Sequence, residues 1–103
     1  MAMNMQFLMK QAQKIQNDIA KAQKQLEEKD YEGTAGGGAI VVKAKGNYHV
    51  ESVTIDPELM KEEVADVEVM VAAAVNEVLE KIGKERDAIL TPITGGAKFP
   101  GAL

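Results

Sequence analysis

Met5–Leu26 reads MQFLMKQAQKIQNDIAKAQKQL, with apolar side chains at Met5, Leu8, Ala12, Ile15, Ile19, Ala22 and Leu26. The steps alternate between three and four residues, the pattern of a helix with a coiled-coil seam. With Met5 at position a, Lys10 and Lys24 take position f while Lys14 and Lys21 take position c. One helix therefore carries an oily side and, away from it, a lysine ridge. The seam asks for a protein partner and the ridge for an anion. From Lys10 to Lys24 a helix rises about 21 Å, long enough to follow several phosphates of a nucleic-acid backbone. A plainer reading stands beside this one: the seam packs on the chain's own second helix, and the lysines and Gln6, Gln11, Gln13, Gln16, Gln23 and Gln25 are solvated surface. Asn4 is a reasonable N-cap for the helix.

The 103 residues fit one domain, and a chain this short gains useful core by pairing with a second copy. With no Cys and one His, disulfides and Cys/His zinc sites are excluded, and the composition fits a reducing cytosol. No apolar run approaches the ~18 residues of a membrane span. Met1 to Lys10 lacks a basic segment followed by a continuous apolar one, so a soluble, cytoplasmic protein without a secretory signal is expected. The net charge of −4 argues against a polyanion partner, yet it is unevenly spread. Up to Leu26 the lysines Lys10, Lys14, Lys21 and Lys24 face only Asp18, a local balance of +3 that leaves −7 for the rest. Exposed charges more than about 10 Å apart are largely screened at moderate salt, so the ridge can attract phosphate despite the acidic remainder.

Beyond Leu26, Glu27, Glu28, Asp30 and Glu32 reverse the sign, and Gly33, Gly36, Gly37 and Gly38 end any helix. The glycines lack the Lys-Ser/Thr of a phosphate loop and the G-x-G-x-x-G spacing, and are read as a turn after an edge strand around Tyr31 to Ala35. Ile40 to Lys45 reads as a strand with Ile40, Val42 and Ala44 on one face, followed by a Gly46-Asn47 hairpin signal. In the returning strand Tyr48 and Val50 are out of phase with Val53 and Ile55. One extra residue near Glu51 or Ser52, a β-bulge, restores a single apolar face. The expected neighbours are Ala44 with Val50, Lys43 with Glu51, Val42 with Val53 and Ile40 with Ile55. His49, beside the turn, is expected on the surface with no ligand role.

Asp56-Pro57-Glu58 is a cap and first-turn arrangement for a short helical turn reaching Met60 or Lys61. Glu58, Glu62, Glu63, Asp66 and Glu68 lack the alternation and glycine of a calcium loop and read as a solvated face. From Val64 to Leu90 a second helix shows the stripe Val67, Met70, Val71, Ala74, Val75, Val78, Leu79 and Ile82, with Ala72, Ala73 and Ala74 open to close backbone approach. Gly83 is a weak point, Thr91-Pro92 closes the helix, and a single domain over 1–92 with a flexible tail over 93–103 is expected.

In this order of elements the chain resembles the YbaB/EbfC nucleoid-associated proteins. Met9-Lys10-Gln11-Ala12-Gln13-Lys14 looks like the family's opening helix, and Glu32 to Gly38 like its glycine-rich entry to the sheet. Val53 to Leu59 is similar to its strand exit, and Val71 to Asn76 to the middle of its second helix. The resemblance implies an α+β, αβββα subunit that dimerises through its sheet, its long helices projecting like tweezer arms. It implies a bacterial nucleoid protein that binds duplex DNA and influences expression, with no enzymatic activity, cofactor, membrane or small-molecule substrate. By position, the DNA contacts fall on Lys10, Lys14, Lys21 and Lys24 of the first helix and on Lys81, Lys84 and Arg86 of the second. The alternative is an adaptor of the replication or recombination machinery that docks through the seam without direct DNA binding. For catalysis, one His, no Cys and scattered hydroxyls and carboxylates offer no convergent set.

Overall fold

The computed structural model describes residues 4–94. Helix α1 spans Met5–Glu28, strands β1, β2 and β3 span Asp30–Ala35, Ile40–Lys45 and Val50–Ile55, and helix α2 spans Val64–Thr94. The strands form an antiparallel meander in the order β1-β2-β3, giving an α+β subunit of αβββα type. Asn4 caps α1 by accepting the Phe7 N–H at 3.2 Å. Asp56 accepts the Glu58 N–H at 2.9 Å and starts a 3₁₀ turn over Pro57–Lys61, as its sequence implies.

Sheet register follows the apolar phase. Ile40 faces Ile55, Val42 faces Val53 and Ala44 faces Val50, with the register shift that the sequence demands. Glu51 is the extra residue, so Lys43 faces Ser52 rather than Glu51. The hairpin uses a three-residue loop, closed by Tyr48 N–H donating to the Lys45 carbonyl at 2.9 Å. Its last residue must be left-handed, and Tyr48 takes that position at φ 67°. His49 is exposed.

Ile40, Val42 and Ala44 are buried against Ala74, Val78 and Ile82 of α2, with Val67, Met70, Val71, Val75 and Leu79 around them, which is the expected stripe. The helix lies over β1 and β2 and leaves β3 largely exposed. Close approach depends on Gly33, where a Cβ would run into the Ala74 carbonyl and stand 2.6 Å from the Val78 nitrogen. At Gly83, by contrast, a Cβ would meet only an ordinary contact, 3.8 Å from the Tyr48 hydroxyl.

Two expectations change. The seam of α1 divides: Ala22 and Leu26 are buried at 7% and 1% exposure, while Met5, Leu8 and Ile15 stand 66%, 38% and 45% exposed. Its inner end packs on the chain's own α2 and against Gly46, where a Cβ would strike the Leu26 carbonyl. Helix α2 continues through Pro92 to Thr94 instead of closing at Thr91-Pro92. The proline lacks the N–H that would donate to the Ala88 carbonyl, so the helix passes it with one bond of the ladder missing. The rest of the expected tail, 95–103, lies outside the described residues.

Candidate nucleic-acid interface

The inner end of α1 is fixed to the body by several contacts. The Lys29 ammonium meets the Glu85 carboxylate at 3.0 Å and lies 5.4 Å from the centre of the Tyr31 ring. Its hydrogen bond to Glu85 holds the Lys29 pKa above the usual lysine value. Beside it, Lys45 pairs with Asp30 at 2.6 Å, and that hydrogen bond holds the Asp30 carboxyl below its ordinary range. Gly46 N–H donates to the Lys29 carbonyl at 3.0 Å, so the hairpin tip is stitched to the end of the helix.

From this root α1 projects outward. Glu85 marks the level of Lys29, and the nine residues from there to Thr94 carry α2 only about 13 Å further, roughly to the level of residue 20 of α1. The long dimension of 75 Å, against about 46 Å for a helix the length of α2, agrees with an arm running on past the described end of α2. At about 100° per residue, Lys10, Lys14, Lys21 and Lys24 fall within a sector of roughly 80°. The sector is centred opposite the seam. All four are exposed, and among the described residues none has a carboxylate at ion-pair distance.

The basic residues expected on α2 are placed differently. Lys81 donates to the Glu32 carbonyl at 2.8 Å and pairs with Glu77 at 3.2 Å, while Glu77 also accepts the Thr34 N–H at 3.4 Å. These contacts tie α2 to β1. Lys84 pairs with Glu80 at 3.5 Å. Arg86 is half-buried, donates to the Gly46 carbonyl at 3.4 Å and lies 5.3 Å from the centre of the Tyr48 ring. The structure thus brings the α1 lysines together on one open face and gives the α2 group partners within the fold.

A second surface escapes the sequence reading. Ile55, Leu59, Met60, Val64, Val67 and Val71 line an open apolar groove of about 480 Å³, and Val50 and Val53 are exposed on the uncovered strand that leads to Ile55. Met60 and Val64 are 68% and 71% exposed. The available signal was that Met60 and Val64 are apolar yet lie outside the stripe of α2, beside its members Val67 and Val71. Among the described residues no cluster of His, Asp and Glu is arranged to hold a metal ion, and no helix is long and apolar enough to cross a membrane.

The sequence pattern of the YbaB/EbfC DNA-binding family matches residues 1–97, a span that takes in the arm, the sheet and α2. The chain belongs to this family. A nucleoid-associated protein of Alkaliphilus metalliredigens is 44% identical to this YbaB/EbfC chain over 97% of its length and 89% of the relative's. Others from Acetivibrio thermocellus and Clostridium novyi are 42% and 39% identical, over 90% and 96% of this chain and 83% and 88% of theirs. The fold recurs in the crystal structure of an uncharacterized protein from Helicobacter pylori, at a TM-score of 0.77 and 15% identity over 91% of this chain and 100% of that one.

Proposed function

We propose that this YbaB/EbfC protein is a homodimer that binds duplex DNA through the phosphates and organises the bacterial nucleoid, with consequences for gene expression. The observation that carries the reading is the stripe Lys10, Lys14, Lys21 and Lys24, exposed and without internal ion pairs on a projecting helix. Lysine is a point charge without bidentate base geometry, so the contacts are to the backbone. Lys81, Lys84 and Arg86 contribute to the field, but Lys81 and Arg86 serve first to hold α2 to the sheet and hairpin, and Lys84 pairs with Glu80 of its own helix. The relatives' names as nucleoid-associated proteins support a place in the nucleoid, within the cytoplasm. The role is binding rather than catalysis, and it uses no cofactor.

The exposed face of β3 with its adjoining groove supports the dimer. An unpaired strand edge flanked by contiguous apolar surface is the kind of surface a second subunit covers. Light scattering should give the mass of two chains. Titration of duplex DNA at several salt concentrations, with wild type and with the four α1 lysines changed to Glu, tests the ridge. Unchanged binding in the variant removes it from the mechanism. An adaptor role draws on the exposed Leu8 and Ile15, and it requires protein capture dependent on those two residues together with negligible DNA binding at moderate salt.

A further inference from the structure

Resting on the DNA-binding reading, we infer that the outer seam of α1, formed by Met5, Leu8, Ala12, Ile15 and Ile19, is the docking surface for the same seam of a second copy bound to another duplex. Arm-to-arm pairing then joins two DNA segments.

The strict heptad steps call for a helical occupant, and among the described residues α2 supplies one as far as about residue 20 of α1. Outside that level Leu8 and Ile15 remain 38% and 45% exposed. The residues flanking the seam say which helix fits. Positions e and g are Met9, Gln11, Gln16, Asp18, Gln23 and Gln25, so every lysine of α1 avoids the flanks although the helix is rich in lysine. Charged flanks normally select a partner of opposite pattern. With Asp18 as their single charge, these flanks let a face meet its own copy with little like-charge opposition. Two arms joined along their seams turn their lysine stripes outward in opposite directions, each toward its own duplex.

Length sets the condition under which this happens. Two heptads form a marginal helix pair in free solution. On DNA, where the proteins are gathered at high effective concentration, the same contact becomes favourable.

The test uses a bead-bound duplex and a second, labelled duplex, with the full chain and with Leu8→Gln/Ile15→Gln, which keeps charge and helix propensity. Wild type should capture the labelled duplex, and the variant should lose at least roughly tenfold of that capture. Its binding to a single duplex and its helicity should match wild type. Because the chain has no Cys, an Ala12→Cys variant should also cross-link between copies on oxidation when DNA is present, and not in the Leu8→Gln/Ile15→Gln background. Capture equal in variant and wild type overturns the inference, since the duplexes would then be joined without the seam. Single-duplex binding with no capture of a second overturns it too, as does capture that appears only after residues 95–103 are removed, which would give the seam to the chain's own end. Absence of any duplex binding refutes the DNA reading itself, and this inference with it.

Discussion

Replacing the α1 lysines should change not only how tightly DNA is held but how that hold depends on salt. Lys10, Lys14, Lys21 and Lys24 are exposed on one face spanning about 21 Å, so each can reach a different phosphate. With both subunits engaged, eight neutralised phosphates give a slope of about −7 in log affinity against log salt. Between about 50 and about 200 mM salt, affinity then falls roughly ten-thousandfold. Changing only Lys10 and Lys14 to Gln should halve the slope to roughly −4, while changing all four should bring it close to zero. The matched control is Lys81→Gln with Lys84→Gln, whose ammonium groups are already paired with Glu77 and Glu80. That variant should keep most of the slope. Fluorescence anisotropy of a labelled duplex over a salt series reads wild type and all three variants directly. A slope that survives loss of the four α1 lysines, or that collapses with the α2 pair alone, refutes the assignment of the contacts to the arm.

Four further outcomes are expected. Ile82→Ala opens a hole at a fully buried position and should lower unfolding stability by about 2 to 5 kcal/mol, measured by urea denaturation. Gly33→Ala drives a Cβ into the backbone of α2 at Ala74 and should cost about 1 to 3 kcal/mol in the same assay. Met60→Glu with Val64→Glu alters side chains that are 68% and 71% exposed in one subunit, so helicity should be retained while the dimer dissociates roughly ten- to a hundredfold more readily by light scattering. The Asp30 carboxyl should titrate below the ordinary carboxylate range by carbon NMR and return toward it in Lys45→Gln. Because its folded value is the lower one, whatever it adds to stability is present above the ordinary range and is lost as pH falls through the depressed value.

The architecture was largely legible because each element carried its own periodicity. The phase break between Val50 and Val53 required one extra residue, and Glu51 is that residue. The stripe from Val67 to Ile82 likewise defined the face of α2 that covers the sheet. What local pattern cannot tell is which end of a continuous seam will be covered. That depended on how far α2 runs past Glu85, and the helix passes through Pro92, which reads locally as a stop. The candidate site divides for a similar reason. The i,i+4 spacing already pairs Lys81 with Glu77 in sequence, but the further partners of Lys81 and Arg86, Glu32 and Gly46, lie 49 and 40 residues away and reach them only once the sheet is in place. Tyr48 shows a local preference overridden, since a left-handed turn position suits glycine, yet here it takes a ring that lies beside Arg86.

The joint between α1 and the body works as the clamp of a cantilever. Leu26 seated against a side-chain-free Gly46, with the Lys29–Glu85 pair beside it, fixes the beam at one end only. Over a lever of about 35 Å, a tilt of roughly 10° at the clamp carries the free tip about 6 Å sideways, more than a full helical turn. Slack introduced at that single glycine would therefore be felt least where it arises and most at the far end, where Lys10 sits.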